Sequence, residues 1–340
     1  MKLSIVIPVF NEEDGIEKHL YELEEYMNQY DGCDSWEIIT VNDGSTDATL
    51  TKLLQIEYRK KWLKVVDLVT NFGRGKALRK GIENATGDII ISLDADLSYA
   101  PYHIERLVDK LVKNNADIVL ASAYGKGGTV KNVPFKRLWI SRVGNKVLSY
   151  MFGENLSVLT CIVRAYRNEF IKKVDLHSND KDIHLEILYK AKILGAKILE
   201  VPADLRWSDE KVSELEKPVK RRSTMKFRKT TSSHFFFALM NKPGFVFLMP
   251  GFCLLTVAAV VFLITASAVL SQLMEGISLY HALRNSMLTA TPSWLTFALS
   301  FILAFQFFSL GFLTNQNKKN HEELYKTINK IFRNSKTGAK

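Results

Sequence analysis

Three cysteines in 340 residues, Cys33, Cys161 and Cys253, are few and far apart, with no CxxC or Cys/His ligand spacing. That argues against a disulfide framework or a zinc site, and fits a reducing compartment. The chain also lacks a GxGxxG after its first apolar run, so a dinucleotide site is not expected. The opening "MKLSIVIPVFNEEDG" holds only about eight apolar residues before acids appear, too few for a signal-peptide core. A first strand is expected there instead, with the early part of the chain in the cytosol.

Charge is missing in two long stretches. No charged residue lies between Lys242 and Glu275, or between Arg284 and Lys318. Within these gaps, "FVFLMPGFCLLTVAAVVFLITASAVL" (about 245–270) and "WLTFALSFILAFQFFSLGFL" (294–313) reach the roughly 20 residues that span a bilayer core. Acids are missing too: residues 217–242 carry eight Lys or Arg and no acid, and 314–340 carry seven against two. These two segments hold +13 of a net +10, so the remainder is −3. The slightly acidic remainder argues against nucleic-acid binding. Basic flanks around two apolar spans fit the positive-inside rule. The expected order is a catalytic domain over 1–216, a basic juxtamembrane stretch over 217–242, two transmembrane helices within 243–313 joined by a short external loop, and a cytosolic tail over 314–340. The localisation expected is the cell (inner) membrane, multi-pass.

What is present in 1–216 alternates between two periods. Apolar runs at 3–10, 36–41, 64–69, 88–93 and 117–121 read as buried strands, and amphipathic stretches near 13–29, 46–60, 75–85 and 102–114 as helices. Strand–helix alternation with short connections predicts an α/β fold, a mostly parallel sheet covered on both faces. Ligands of such sheets bind beyond the carboxyl ends of the strands. Four of those ends carry polar groups: "PVFNEE" with Glu12, "VNDGSTD" with Asp43 and Ser45 or Thr46 as helix cap, "TNFGRGKALRKG" with Arg74 and Lys76, and "LDADLS" with Asp94 and Asp96. Two carboxylates one residue apart are hard oxygen ligands suited to Mg²⁺ or Mn²⁺. In an extended strand they would splay apart, so a turn is needed, and the Ser98–Pro101 break supplies one. From 134 a helix is expected with Phe135, Leu138, Trp139, Val143 and Val147 on one side, flanked by Lys136, Arg137, Arg142 and Lys146. Such a helix suits a membrane surface.

"SIVIPVFNEE", "VNDGSTD", "NFGRGKALRKGI" and "GDIIISLDADLS", in this order, resemble glycosyltransferase family 2, with the GT-A (Rossmann-like) fold. With a two-helix transmembrane hairpin behind, the sequence is most similar to polyprenyl-phosphate hexose synthases of the dolichol-phosphate mannose synthase and undecaprenyl-phosphate glycosyltransferase type. The resemblance, over about residues 3–240, implies that Pro8, Glu12 and Asp43 hold the nucleoside and that Asp94 and Asp96 hold Mg²⁺ or Mn²⁺ on the diphosphate. It implies that Arg137 and Ser141 contact phosphates, with Ser223 and Lys226 of "RRSTMK" in place of the usual Gly-x-Ser-Lys. Asp182 matches an acid that serves many relatives as base, and shares a helix face with Glu186. Ser98 stands where the family often has Gln, Ala123 where it often has Arg, and "ADLRW" lacks the Gln of the processive synthases' QxxRW.

The expected function is an inverting transfer of a hexose from a UDP- or GDP-sugar to a polyprenyl monophosphate at the cytosolic membrane face. The partners are then the nucleotide sugar, the polyprenyl phosphate and the membrane, with a homo-oligomer left open. Two alternatives stand: a membrane transferase with a hydroxyl acceptor, for which Asp182 would be the base, and a non-catalytic sugar-nucleotide-binding scaffold.

Overall fold

The structure, a computed structural model, describes residues 1–153, 156–207 and 243–337. They form two compact units, one within the first 207 residues and one from residue 243 to Ile331.

The first unit is built on β1 (Lys2–Val9), β2 (Ser35–Asn42), β3 (Leu63–Asp67), β4 (Ile89–Ser92) and β5 (Ile118–Ser122). α1 (Ile16–Gln29), α2 (Thr49–Arg59), α3 (Arg74–Asn84) and α4 (His103–Lys113) alternate with them, close to the periodic stretches of the sequence. Each helix buries one stripe. In α1 it is Ile16, Leu20, Leu23 and Met27; in α4 it is Ile104, Leu107, Val108 and Leu111. The strands β1 and β4 are apolar on both faces because helices cover both.

A seven-stranded sheet results, in the order β3-β2-β1-β4-β7-β5-β8, where β7 is Arg164–Arg167 and β8 is Ile198–Pro202. All pairs are parallel except those of β7, which runs antiparallel between β4 and β5. The chain winds outward from β1 through β2 and β3, then returns to β4 on the other side of β1. That reversal opens a crevice beyond the carboxyl ends of β1 and β4, where such sheets bind ligands. Two short parallel strands, β6 (Thr129–Lys131) and β9 (Asp204–Arg206), lie outside this sheet. α5 (Phe135–Phe152) follows β6; the single turn α6 (Asn168–Ile171) and α7 (Ile183–Ile193) follow β7.

The second unit is helical: α8 (Pro243–Met274), α9 (Leu279–Thr289) and α10 (Thr291–Thr337). Val246–Met274 and Thr291–Ile331 are long and apolar enough to cross a membrane. Phe252 lies 5.1 Å from Phe308 and Phe262 lies 5.2 Å from Phe297, ring to ring, so α8 and α10 pair antiparallel as a hairpin. A Cβ at Gly251 would stand 2.8 Å from the Phe308 ring, so glycine sets this close approach. The segment expected as a short external loop contains α9, whose buried Ala282 and Ser286 give it an inward side.

Candidate active site

The crevice is a cavity of about 750 Å³, a volume suited to a nucleotide-sized ligand. It is lined by Pro8, Glu12, Asp43, Arg74, Asp94 and Asp96, all expected on the donor side. Arg137 and Ser141, expected on the acceptor side, line it as well. Sequence reasoning missed Asn71, Asn145, Thr160, Asp180, Lys181 and Trp207, which join them.

The strand ends are tied to each other by side chain to backbone bonds. Asp43 is buried, and its two oxygens accept the Phe72 and Gly73 amides at 2.9 Å each. This fixes the loop before α3, where Gly73 adopts φ +104°, a conformation closed to most side chains. Asn11 Oδ1 accepts the Thr46 amide at 2.9 Å, and Ser45 Oγ accepts the Asn11 amide at 3.0 Å. Neither Ser45 nor Thr46 caps α2. The N-cap position is Ala48, and just before it Asp47 Oδ1 accepts the Thr49 amide at 3.0 Å.

The Asp94–Asp96 pair sits in a tight turn that begins earlier than expected. The Leu97 amide donates to the Asp94 carbonyl at 3.3 Å, and Leu97 is left-handed at φ +44°. A leucine held there is a strained backbone position of the kind found at functional sites. Asp96 Oδ1 accepts the Ser98 amide at 3.0 Å and the Ser98 hydroxyl at 2.7 Å. Arg74 Nη1 donates to Asp94 Oδ1 at 3.2 Å. Among the described residues no three His, Cys, Asp or Glu cluster as a metal cage. Two cavity-lining carboxylates still suit Mg²⁺ or Mn²⁺, which take few protein ligands and complete their shell from water and a ligand's phosphates.

Beneath the pair, Tyr99 and Cys161 are buried. Burial, with the Asp94 charge adding, pushes the Cys161 thiol up to about 11. Cys161 is therefore an uncharged part of the floor at neutral pH.

α5 forms the opposite wall. Arg137, Ser141 and Asn145 recur every four residues and face the cavity together. The Arg137 guanidinium lies 5.6 Å from the Trp207 ring centre, and Tyr124 donates to Ser141 Oγ at 2.8 Å. Asn145 Oδ1 accepts the Leu159 amide at 2.9 Å and Asn145 Nδ2 donates to the Ser141 carbonyl at 3.0 Å. The far side of α5 exposes Phe135, Trp139, Ile140, Val143, Val147 and Tyr150.

Two expected residues stand elsewhere. The Lys76 ammonium lies 3.6 Å over the Phe72 ring, and Lys76 is not among the cavity-lining residues. Asp182 occupies the N-cap position of α7 and makes no side-chain cap bond; it too is outside the lining, whereas Asp180 and Lys181 are in it. Ser223 and Lys226 lie outside the described residues. Glu186, on α7, is turned to structure: its carboxylate accepts the His177 and Ser178 amides and the Lys190 ammonium. Burial opposes its charge, but these donors outweigh it and hold its carboxyl below the usual range. His184 is fully buried, and burial with the nearby Arg164, Arg74 and Lys181 charges keeps it neutral.

The family model for glycosyl transferase family 2 matches residues 4–175, half of the chain. The chain belongs to glycosyl transferase family 2. Curated members similar to this one include the dolichol-phosphate mannosyltransferase of Pyrococcus furiosus, 33% identical over 59% of this chain and 56% of that protein. The polyprenol monophosphomannose synthase of Mycolicibacterium smegmatis is 29% identical over 58% of this chain and 75% of that protein. The dodecaprenyl-phosphate galacturonate synthase of Rhizobium johnstonii is 32% identical over 52% of this chain and 51% of its own. The chain thus spans just over half the length of the first of these relatives. The glucosyl-3-phosphoglycerate synthase of Mycobacterium tuberculosis, solved with UDP, superposes with a TM-score of 0.50 at 19% identity, over 70% of this chain and 80% of that one. At that identity the likeness is one of fold.

Proposed function

We infer that this family 2 member is a membrane-anchored, metal-dependent glycosyltransferase that moves one hexose from a UDP- or GDP-sugar to a polyprenyl monophosphate at the cytosolic face. One observation carries the reading. The acids at the end of β4 and the Arg137–Ser141–Asn145 face of α5 line one cavity. The first group suits a diphosphate held through a cation, the second an anionic acceptor.

The chemistry follows from charge. A lipid phosphate loses its second proton near pH 6, so at neutral pH it is mostly a dianion and needs no strong base. Arg137 and Ser141 bind that anion and hold one of its oxygens behind the anomeric carbon. The oxygen bonds to that carbon as the bond to the diphosphate breaks, and the configuration inverts. Asp94 and Asp96 would hold Mg²⁺ or Mn²⁺, which neutralises charge developing on the departing diphosphate. Asp43 and Glu12 hold the nucleoside end; Arg74 guards the diphosphate. The hydroxyl-acceptor alternative relied on Asp182 as base, and Asp182 stands outside the cavity lining.

Support for the membrane comes from the two apolar helices and the exposed face of α5. The basic stretches 217–242 and 314–340 would bind the anionic cytosolic leaflet at about 1 kcal/mol per cation, placing the domain and tail inside. The test is a screen of UDP- and GDP-sugars with undecaprenyl phosphate, Mn²⁺ and the purified full chain. A sugar-monophosphate lipid detected by mass spectrometry is the expected product. Nucleotide binding without turnover would make the protein a scaffold and end this reading.

A further inference from the structure

The segment between β7 and α7 enters the cavity through Asp180 and Lys181, and is held more firmly than a surface loop needs to be. From α3, Arg79 donates to the Leu176 carbonyl at 2.7 Å and to Asn179 Oδ1 at 2.5 Å. The Asn179 carbonyl accepts the Gly75 amide at 2.6 Å and the Lys76 amide at 3.1 Å. From α7, Glu186 accepts the His177 amide at 3.0 Å and the Ser178 amide at 2.8 Å. The segment is thus strapped at both ends, and the fit leaves no room. A Cβ at Gly75 would stand 2.5 Å from the Asp180 carbonyl, and one at Gly73 would stand 2.7 Å from Asp180 Oδ1. The Asp180 carboxylate therefore lies beside Gly73, whose amide Asp43 holds and which directly precedes Arg74, the partner of Asp94. That is the donor half of the cavity, not the α5 wall.

We propose that Asp180 and Lys181, fixed by this double strap, read the hexose of the donor. The inference rests on the transferase reading above. Asp180 accepts hydrogen bonds from sugar hydroxyls, and Lys181 donates to them. A carboxylate and an ammonium carried into one cavity by adjacent residues can serve a pair of neighbouring hydroxyls, each of which both donates and accepts. A formal charge on the sugar would gain one partner and meet a like charge in the same pair. The site takes a neutral hexose in preference to a uronate. Preorganisation is what makes such a pair selective, because a loosely held pair could turn its charge toward either sugar. Asp180 acts here in binding. The acceptor phosphate is already ionised, so no proton needs a carboxylate base.

The experiment is a binding and turnover comparison on the full chain in detergent with Mg²⁺, using UDP, GDP, UDP-glucose, GDP-mannose and UDP-glucuronate. The wild type should prefer a neutral-hexose donor to UDP-glucuronate by about tenfold or more. Asp180→Asn and Lys181→Met should each weaken that donor about tenfold while the matching bare nucleoside diphosphate stays within about twofold. Equal loss for bare and sugar-bearing nucleotide would place the pair in the nucleotide subsite and overturn the proposal. A loss of turnover by orders of magnitude at unchanged donor affinity would make Asp180 a base and overturn it as well. A wild type that turns over UDP-glucuronate best would leave the transferase reading standing and remove this one. A wild type that binds no nucleotide would remove both.

Discussion

At the scale of single residues, charge placement decides which acids do chemistry and which hold the fold. Asp94 and Asp96 line the cavity, whereas Glu37, at the opposite end of the sheet, accepts bonds from Ser4, Thr86 and Lys2. Asp96→Ala should therefore lower transfer by about 10³-fold or more, a loss far out of proportion to a small drop in the thermal unfolding midpoint, since the carboxylate lost is partly exposed but accepts two bonds from Ser98. Transfer at the wild-type rate would remove the metal-holding role. Glu37 reports on stability instead. Burial opposes its charge, but its donors outweigh that and lower its carboxyl from 4.5 to about 2. Because the folded value is depressed, its contribution is complete above about pH 4.5 and fades as pH falls toward 2. After allowance for solvent screening this amounts to about 1–2 kcal/mol. Glu37→Gln should be less stable than the wild type at pH 7, with the gap closing by pH 2; a gap independent of pH would mean the charge is irrelevant. The cavity-lining acids at the strand ends were legible in sequence because each follows an apolar run, and parallel strands bring such ends together. Asp180 was not. It lies two residues from Asp182 in the polar run "SNDKD", and only the path imposed by Arg79 and Glu186 turns one toward the cavity rather than the other.

At the scale of elements, the five apolar strands and the amphipathic helices were legible because each has a clean period. β7 was not, for it is four residues long, reads "RAYR", and buries an arginine completely. Arg164 donates from Nε to the Cys161 carbonyl at 2.7 Å, from Nη2 to the Leu159 carbonyl at 2.6 Å, and from Nη1 to the His184 carbonyl at 3.0 Å. One guanidinium thus joins the cavity-lining stretch around Thr160 to the first turn of α7. α7 itself is buried on nearly every side, which erases the amphipathic pattern that marks the other helices. Arg164→Leu should leave three buried carbonyls without their donor and destabilise the protein by about 3 kcal/mol or more, read as a lower thermal midpoint. Nucleotide affinity should fall with it, because Thr160 and Cys161 lose their anchor. An unchanged midpoint would show that water replaces the guanidinium.

At the scale of the whole molecule, two features suit a bilayer, one legible in sequence as long stretches without charge and the other as a helix with an apolar side flanked by cations. On the proposed reading, the apolar helices α8 and α10, long enough to cross a bilayer, hold the chain in place. The outer face of α5 offers Phe135, Trp139, Val143, Val147 and Tyr150 to the surroundings, and the 22 residues from Lys131 to Phe152 contain five cations and no acid. A helix so arranged lies in the headgroup layer with its aromatic residues among the acyl chains. Its inner face carries the cavity-lining Arg137 and Ser141, so on the proposed reading docking the outer face would hold these side chains near the depth at which a lipid phosphate presents its head group. Anchoring and positioning are then separable. The double variant Phe135→Ser/Trp139→Ser should remain in the membrane fraction because the two apolar helices proposed as spans are untouched. On long-chain polyprenyl phosphate in anionic vesicles its rate should fall about tenfold, in proportion to the apolar burial lost from two aromatic side chains. With a short, water-soluble isoprenoid phosphate in detergent the same variant should match the wild type within about twofold, because the cavity wall is intact. Equal losses on both acceptors would mean that the substitutions disturb the helix itself, and the docking role of α5 would then fall.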